Sequence, residues 1–321
     1  MNEIDAQIAQ EIFFEKYKYI SIEDFEDLMQ KSYNNIMTKI LKNPGAYNNK
    51  RLKLLLKDIK SELTSIYSIT ETENLSELEL VTGTFLASES KIMKTKLDTK
   101  LLDQVFNFEN DYVQGYTFAE LFQTQNAQTY NRIKKILTVN LIQGINPKEF
   151  SNELHNAQVR LTKAQMYTST RTYAKSLREK TKNETEKTLK GMKGRMSLAT
   201  LDSNTSAICI KKDKEFYDIK EFKKREDILD RPPRHFNCRS ILVRITEDTL
   251  SYTRASNGDK KEQVDTRTTF NSFLKRNPAT AKKLLGTKRY DLYKSGKYNV
   301  NEFISDNGTW FNLDELKTEL T

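Results

Sequence analysis

Both cysteines of the chain, and one of its two histidines, fall in a single stretch between residues 202 and 240. Asp202-Ser-Asn-Thr-Ser-Ala-Ile-Cys209 comes first, and Pro232-Pro-Arg-His-Phe-Asn-Cys-Arg-Ser240 closes it. His235 and Cys238 are two residues apart, a spacing at which both side chains can converge on one metal ion. Cys209 could supply a third ligand if the intervening chain forms a hairpin loop, and Asp202 or Asp213 would have to supply a fourth. A structural zinc site usually draws four Cys or His ligands from paired motifs. Here Ile210, Lys211 and Lys212 follow Cys209, so half of that pattern is missing. Two other states fit the same residues: a reduced, buried cysteine pair, and a disulfide formed after release from the cell.

Catalysis asks for more than these residues supply. A cysteine nucleophile needs a base in hydrogen-bond reach and a third group that orients the base. His235 and Cys238 can touch, but nothing marks an oxyanion site and no glycine-rich phosphate loop occurs. A nuclease of the His-Asn-His type needs a further carboxylate or histidine pattern that the chain lacks. His155 sits in polar company on a helix and reads as a surface residue. Pro232, Pro233 and Asn237 more simply build a rigid loop, with Arg234 and Arg239 left to meet carboxylates or phosphates. The expectation is a non-enzyme with no catalytic residue and no cofactor, zinc on Cys209, His235 and Cys238 being the exception to test. The alternative is a hydrolase or transferase centred on those three side chains.

The elements that must position this stretch are mainly helical. Gly 10 and Pro 5 in 321 residues are too few for a turn-dense sandwich or barrel, and they favour long helices. Ser21 reads as an N-cap, with Phe25, Leu28, Met29, Ser32, Ile36 and Ile40 on one helical face until Asn43-Pro44-Gly45. A second helix carries Leu52 to Ile66, and a third Leu75 to Leu86. Residues 97–120 hold no clear period. A helical pattern resumes at Ala127 and ends at Gly144; Asn146-Pro147 opens a helix over about 147–156. A long basic helix follows over about 159–190. Arg195–Leu201 and Ser240–Ile245 read as strands, 249–268 as an exposed polar linker, 268–294 as a helix, and 312–320 as a short one. The fold class expected is α+β, predominantly α, with a short β-hairpin carrying the Cys/His loop.

The charge is unevenly spread. The formal net charge is +9, yet residues 1–30 carry eight acids against two bases, and residues 157–196 carry eleven bases against three acids. Basic stretches suit a phosphate backbone, because each neutralised phosphate releases counterions. The bases expected to face DNA are Arg160, Lys163, Arg171, Lys175, Arg178, Lys182, Lys187, Lys190, Lys193 and Arg195. The competing explanation is an ordinary solvated helix face. No window is apolar enough for a membrane span, the acidic start is unlike a secretory signal, and two cysteines suit a reducing cytoplasm.

The two-part motif resembles the signature of the phage head morphogenesis family, the Mu F-like minor head proteins of tailed bacteriophages. Its structural residues here would be Asp202, Thr205, Cys209, Pro232, Pro233, His235, Asn237, Cys238 and Arg239. Ile142-Gln-Gly-Ile-Asn-Pro-Lys-Glu149 is similar to the unit that precedes the family's basic helix. Phe273-Leu-Lys-Arg-Asn-Pro, Leu285–Lys297 and Phe303–Leu316 are similar to its closing region. Two departures stand out. Many relatives carry Cys-x-x-Cys where this chain has Cys209-Ile-Lys-Lys212, and Arg-Thr-Glu where it has Thr168-Ser169-Thr170.

The resemblance implies a structural protein of the virion, at the portal vertex or capsid interior, that passes through the host cytoplasm during assembly. The implied role is in head assembly and in DNA packaging or ejection. The implied partners are the portal protein, the major capsid or scaffolding protein, and double-stranded DNA, with no membrane anchor. Residues 1–125 would form a helical docking region and 126–321 the head-morphogenesis domain. No room is expected after residue 320 for the fused enzyme domains of longer relatives.

Overall fold

The structure is a computed structural model, and it describes residues 3–16, 20–42, 47–94, 100, 105, 113–186, 189–220, 231–246, 253–265, 267–312 and 314–316. The chain divides into two compact units. A helical unit holds Phe13–Ser90 and Lys96–Lys182; a mixed unit holds Met1–Ile12, Lys91–Thr95 and Asn183–Thr321. The α+β, mainly helical class expected from the sequence is what the chain adopts. Residue 125, where a domain boundary was expected, lies inside a continuous helix.

After α1 (Glu3–Lys16), the helical unit contains α2 (Ile20–Leu41) and most of α3 (Asn49–Ile92). It also contains α4 (Phe118–Ile142), α5 (Pro147–His155), a π-helical segment at Asn156–Arg160, and α6 (Leu161–Glu186) as far as Lys182. The α2 stripe is buried as the spacing predicts at Phe25, Met29, Ser32, Ile36 and Ile40. Asn43–Gly45, the expected stop, lie outside the described residues.

The two helices expected over 52–66 and 75–86 are one, α3, whose 44 residues span about 66 Å. The polar gap that looks like a loop is helical because its buried polar groups are satisfied. Thr70 Oγ1 donates to the Ile66 carbonyl at 2.9 Å and Asn74 Nδ2 to the Thr70 carbonyl at 2.8 Å. Asn74 Oδ1 then accepts from Thr170 of α6 at 2.9 Å. Tyr67 and Thr129 hydroxyls join α3 to α4 at 2.9 Å.

Helix α4 starts nine residues before the expected Ala127, because Thr117 and Glu120 close a capping box. Gly144 takes the left-handed conformation (φ +70°) that ends it, and Asn146 caps α5 through the Lys148 N–H. His155 is not a surface residue: it is half-buried, with Nε2 2.8 Å from Gln30 Oε1 and its ring edge-on to Tyr33.

In the mixed unit, β1 (Met192–Leu198) lies between β3 (Phe216–Asp218) and β4 (Ile241–Thr246), all antiparallel. A second sheet is built from β2 (Leu201–Asp202), β5 (Thr253–Asn257) and β6 (Lys261–Asp265). These last two strands correct the linker expected at 249–268. Its polar residues pair as a hairpin, and Arg254, Ser256, Val264 and Thr268 are buried. The expected helix over 268–294 is two, α8 (Phe270–Arg276) and α9 (Pro278–Lys294), with Gly286 (φ +71°) as a further kink inside α9. The hairpin turn brings Asp259 to the start of α9, where its carboxylate accepts from the Ala279 and Thr280 N–H groups and the Thr280 hydroxyl. Asp314–Leu316 are helical within the expected 312–320. The core of this unit gathers Leu201, Ile210, Phe270, Phe273, Leu285 and Phe303 around Cys209 and Cys238.

Candidate functional site

The connection from β1 to β4 carries both halves of the motif. Ser206 precedes a short helix, α7 (Ala207–Lys211), which places Cys209 against the core. The second half is a turn: the Cys238 N–H donates to the His235 carbonyl at 3.1 Å. Asn237 takes φ +62°, a conformation Asn tolerates better than most residues. The Pro232–Pro233 bond is cis.

One ion pair joins the halves. Arg239 donates through both Nη atoms to the Asp202 carboxylate, Nη2 at 2.8 Å from Oδ1, and the Asn204 N–H and Thr205 hydroxyl reach Oδ1 at 2.9 and 3.0 Å. Asp202 and Thr205 are thus positioning residues for the loop. Asp213 is taken likewise: its carboxylate accepts from Arg254 at 2.7 Å and from the Ala199 N–H at 2.9 Å. Neither carboxylate is left over to be the fourth metal ligand expected of Asp202 or Asp213.

Cys209, His235 and Cys238 do converge. Cys209 Sγ is 3.7 Å from Cys238 Sγ and 3.3 Å from His235 Nε2, and the three donor atoms lie within 4.8 Å of one another. His235 Nδ1 is 2.7 Å from the Phe236 carbonyl oxygen, which can only accept, so the proton sits on Nδ1 and the Nε2 lone pair faces the sulfurs. Ser206 Oγ approaches Nε2 at 2.7 Å. Ser206, Cys209 and His235 border a small recess that opens to solvent.

The two thiols differ in acidity. Cys209 is pulled down to about 6, mainly because Cys238 donates to its sulfur, with Ser206 and Ser240 adding to the effect against the opposing burial. Cys238, as the donor and itself buried, is pushed up to about 12. His235 is raised by hydrogen bonding to Cys238, with burial opposing and the Phe236 carbonyl supporting.

The bases expected to face DNA fare differently. Lys175 and Lys182 are each 1% exposed and flank Glu179 at 3.4 and 3.7 Å, with Lys182 also over the Phe85 ring. Arg178 is buried. Arg195, 1% exposed, pairs with Glu186, which also meets Arg244 at 3.5 Å from the opposite residue of β4. These four are corrections: their charges are neutralised or enclosed within the protein, not presented to a phosphate. Lys163 pairs with Glu26, and Arg171 is half-buried. Arg160, Lys190 and Lys193 are exposed, and Lys187 lies outside the described residues. Arg234 and Arg239, expected to be open to anions, bond within the protein, Arg234 to Ser197 Oγ at 3.0 Å.

A basic surface that the sequence reading passed over lies on α8 and α9. Residues 270–297 hold eight bases against one acid, and Lys275, Arg276, Lys282, Lys283, Lys288, Lys294 and Lys297 are exposed. Counting charge helix by helix finds it.

Residues 131–243 match the model of a family described as Phage Mu protein F like protein. No curated protein and no solved structure matches the chain.

Proposed function

We propose that this chain, whose residues 131–243 match the Phage Mu protein F like family, is a head-morphogenesis protein that acts as a minor component of the virion at the portal vertex. The family match carries this reading, because it spans both the basic helix and the Cys/His loop. In it the helical unit docks on the portal or on inner capsid or scaffolding protein. Leu54, Ile69 and Leu80, apolar yet exposed on α3, suit a protein partner.

DNA contact falls to the mixed unit. Its exposed bases on α8 and α9 replace the buried members of α6 as the phosphate-binding surface. No described helix is long and apolar enough to cross a membrane. An asymmetric reconstruction of the virion tests the placement: density for this chain at the portal vertex is expected, and its absence from mature and precursor heads would end the proposal. In a gel shift with duplex DNA, six or more phosphate contacts should cost about 10³-fold or more in affinity between 50 and 200 mM salt. A salt-insensitive shift removes the DNA part.

One observation favours a second reading. Cys209 Sγ at 3.3 Å from His235 Nε2 is a nucleophile–base distance. Against it, Cys209 is 2% exposed, and a backbone carbonyl rather than a carboxylate orients the base. His235→Ala separates the two: an enzyme variant keeps its fold and loses activity, whereas a structural loop loses stability.

A further inference from the structure

We propose that Cys209, Cys238 and His235 bind one zinc ion, which clasps α7 to the 232–240 turn. Three observations carry this. First, the donor spacing is that of a tetrahedral site. Two thiolates at about 2.3 Å from a zinc ion, at the tetrahedral angle, lie about 3.8 Å apart, and a thiolate and an imidazole nitrogen lie about 3.6 Å apart. The sulfurs are 3.7 Å apart and the Cys209–His235 distance is 3.3 Å, each within a few tenths of an ångström of those values, and all three donor atoms lie within 4.8 Å of one another. A disulfide instead needs the sulfurs at about 2.05 Å.

Second, the histidine is already oriented as a ligand. Nδ1 is held by the Phe236 carbonyl at 2.7 Å, the outer-shell bond that fixes the tautomer of metal-bound histidines, and Nε2, which the Ser206 hydroxyl meets at 2.7 Å, is the nitrogen beside the sulfurs. Third, the donors come from two segments that Asp202 and Arg239 independently hold together, so the site is formed before metal arrives.

The fourth position faces the recess. It belongs to a water molecule that Ser206 holds, the hydroxyl that meets Nε2 at 2.7 Å being its neighbour. Zinc binds both cysteines as thiolates, and the thiol protons they still carry leave to solvent. Both cysteines are buried and belong to the same core cluster as Phe270, Phe273 and Phe303, so the ion would tie the loop into that core.

The test uses the full chain, purified under reducing conditions without chelator and equilibrated with zinc sulfate. Native mass spectrometry should show one zinc per chain. X-ray absorption should find two sulfurs at about 2.3 Å and two nitrogen or oxygen neighbours at about 2.0–2.1 Å. Cobalt(II) in place of zinc should give thiolate-to-cobalt charge-transfer absorption. Cys209→Ser with Cys238→Ser should abolish both signals. A bare-chain mass with no cobalt–thiolate band overturns the proposal, as does an internal disulfide in the reduced preparation or metal retained by the double variant. If the double variant does not fold, the wild-type mass and cobalt spectrum still decide.

Discussion

Asp202 shows how much of the motif is scaffold. Its carboxylate is 3% exposed, and burial alone would raise its pKa. The Arg239 hydrogen bonds and charge, with the Asn204 N–H and the Thr205 hydroxyl, outweigh that and hold it below the usual carboxylate value. A carboxyl depressed in the folded state adds stability that is fully present above its unfolded pKa and is lost as pH falls through the folded one. Asp202→Asn should therefore cost about 2 kcal/mol at neutral pH, the worth of a hydrogen-bonded charge, and this deficit should shrink below about pH 4. Denaturant unfolding of both proteins across that range measures it. A deficit constant with pH would mean that Asp202 is not ionised against Arg239. The motif spelling pointed to Asp202, Thr205 and Arg239 as a set; that they bond to each other, and not to a metal, required their coordinates.

At the scale of elements, β1 illustrates a constraint that is easy to misread. Gly194 sits opposite Asp218 of β3, and a Cβ there would come 2.2 Å from the Tyr217 carbonyl oxygen. The glycine is therefore where β3 can approach β1 this closely. Gly194→Ala should push the edge strand away at a cost of about 1–3 kcal/mol, with reduced amide-exchange protection in Phe216–Asp218 and none removed from β4. Unchanged protection in β3 would refute the close approach. The 249–268 stretch failed as a linker for a related reason. Ser, Thr, Asn and Arg look solvent-facing, yet Arg254 is buried on Asp213 and Thr268, and Asp259 caps α9. Polar side chains cost little to bury when each finds a partner, and the partners lie far off in sequence.

For the whole molecule the question is where the surplus charge goes. Net charge of +9 and a basic stretch at 157–196 suggest one DNA-facing helix. The structure buries Lys175, Arg178 and Lys182 of that helix and Arg195 of β1, whereas the bases of α8 and α9 are mostly exposed. Two variant sets separate these roles. Lys282→Glu, Lys283→Glu, Lys288→Glu and Lys294→Glu together should keep the melting temperature and reduce the salt slope of DNA binding by about 0.9 for each phosphate no longer neutralised. Lys175→Gln with Lys182→Gln should leave Glu179 as an unpaired buried charge and destabilise the helical unit by about 3–5 kcal/mol, with the mixed unit's DNA affinity unchanged. The opposite pattern, α6 variants that stay stable and no longer bind DNA, would restore the sequence-based assignment.

The amino-acid sequence by itself determined the class of fold, the α2 stripe, the Asn146-Pro147 helix start, and the motif that resembles the phage head morphogenesis family. Each of these depends on local spacing or on residue type in order along the chain, and such signals survive without coordinates. Tertiary structure alone decided that α3 is unbroken, that 253–265 is a hairpin, that the α6 lysines and arginines turn inward, and that two sulfurs and an imidazole meet. Three of those turn on a partner distant in sequence, Thr170 for Asn74, Asp213 for Arg254 and His235 for Cys209, and the α6 bases on which face of the helix the fold buries. The free energy of burying a charge or a polar group is set by that partner, and residue type alone does not reveal it.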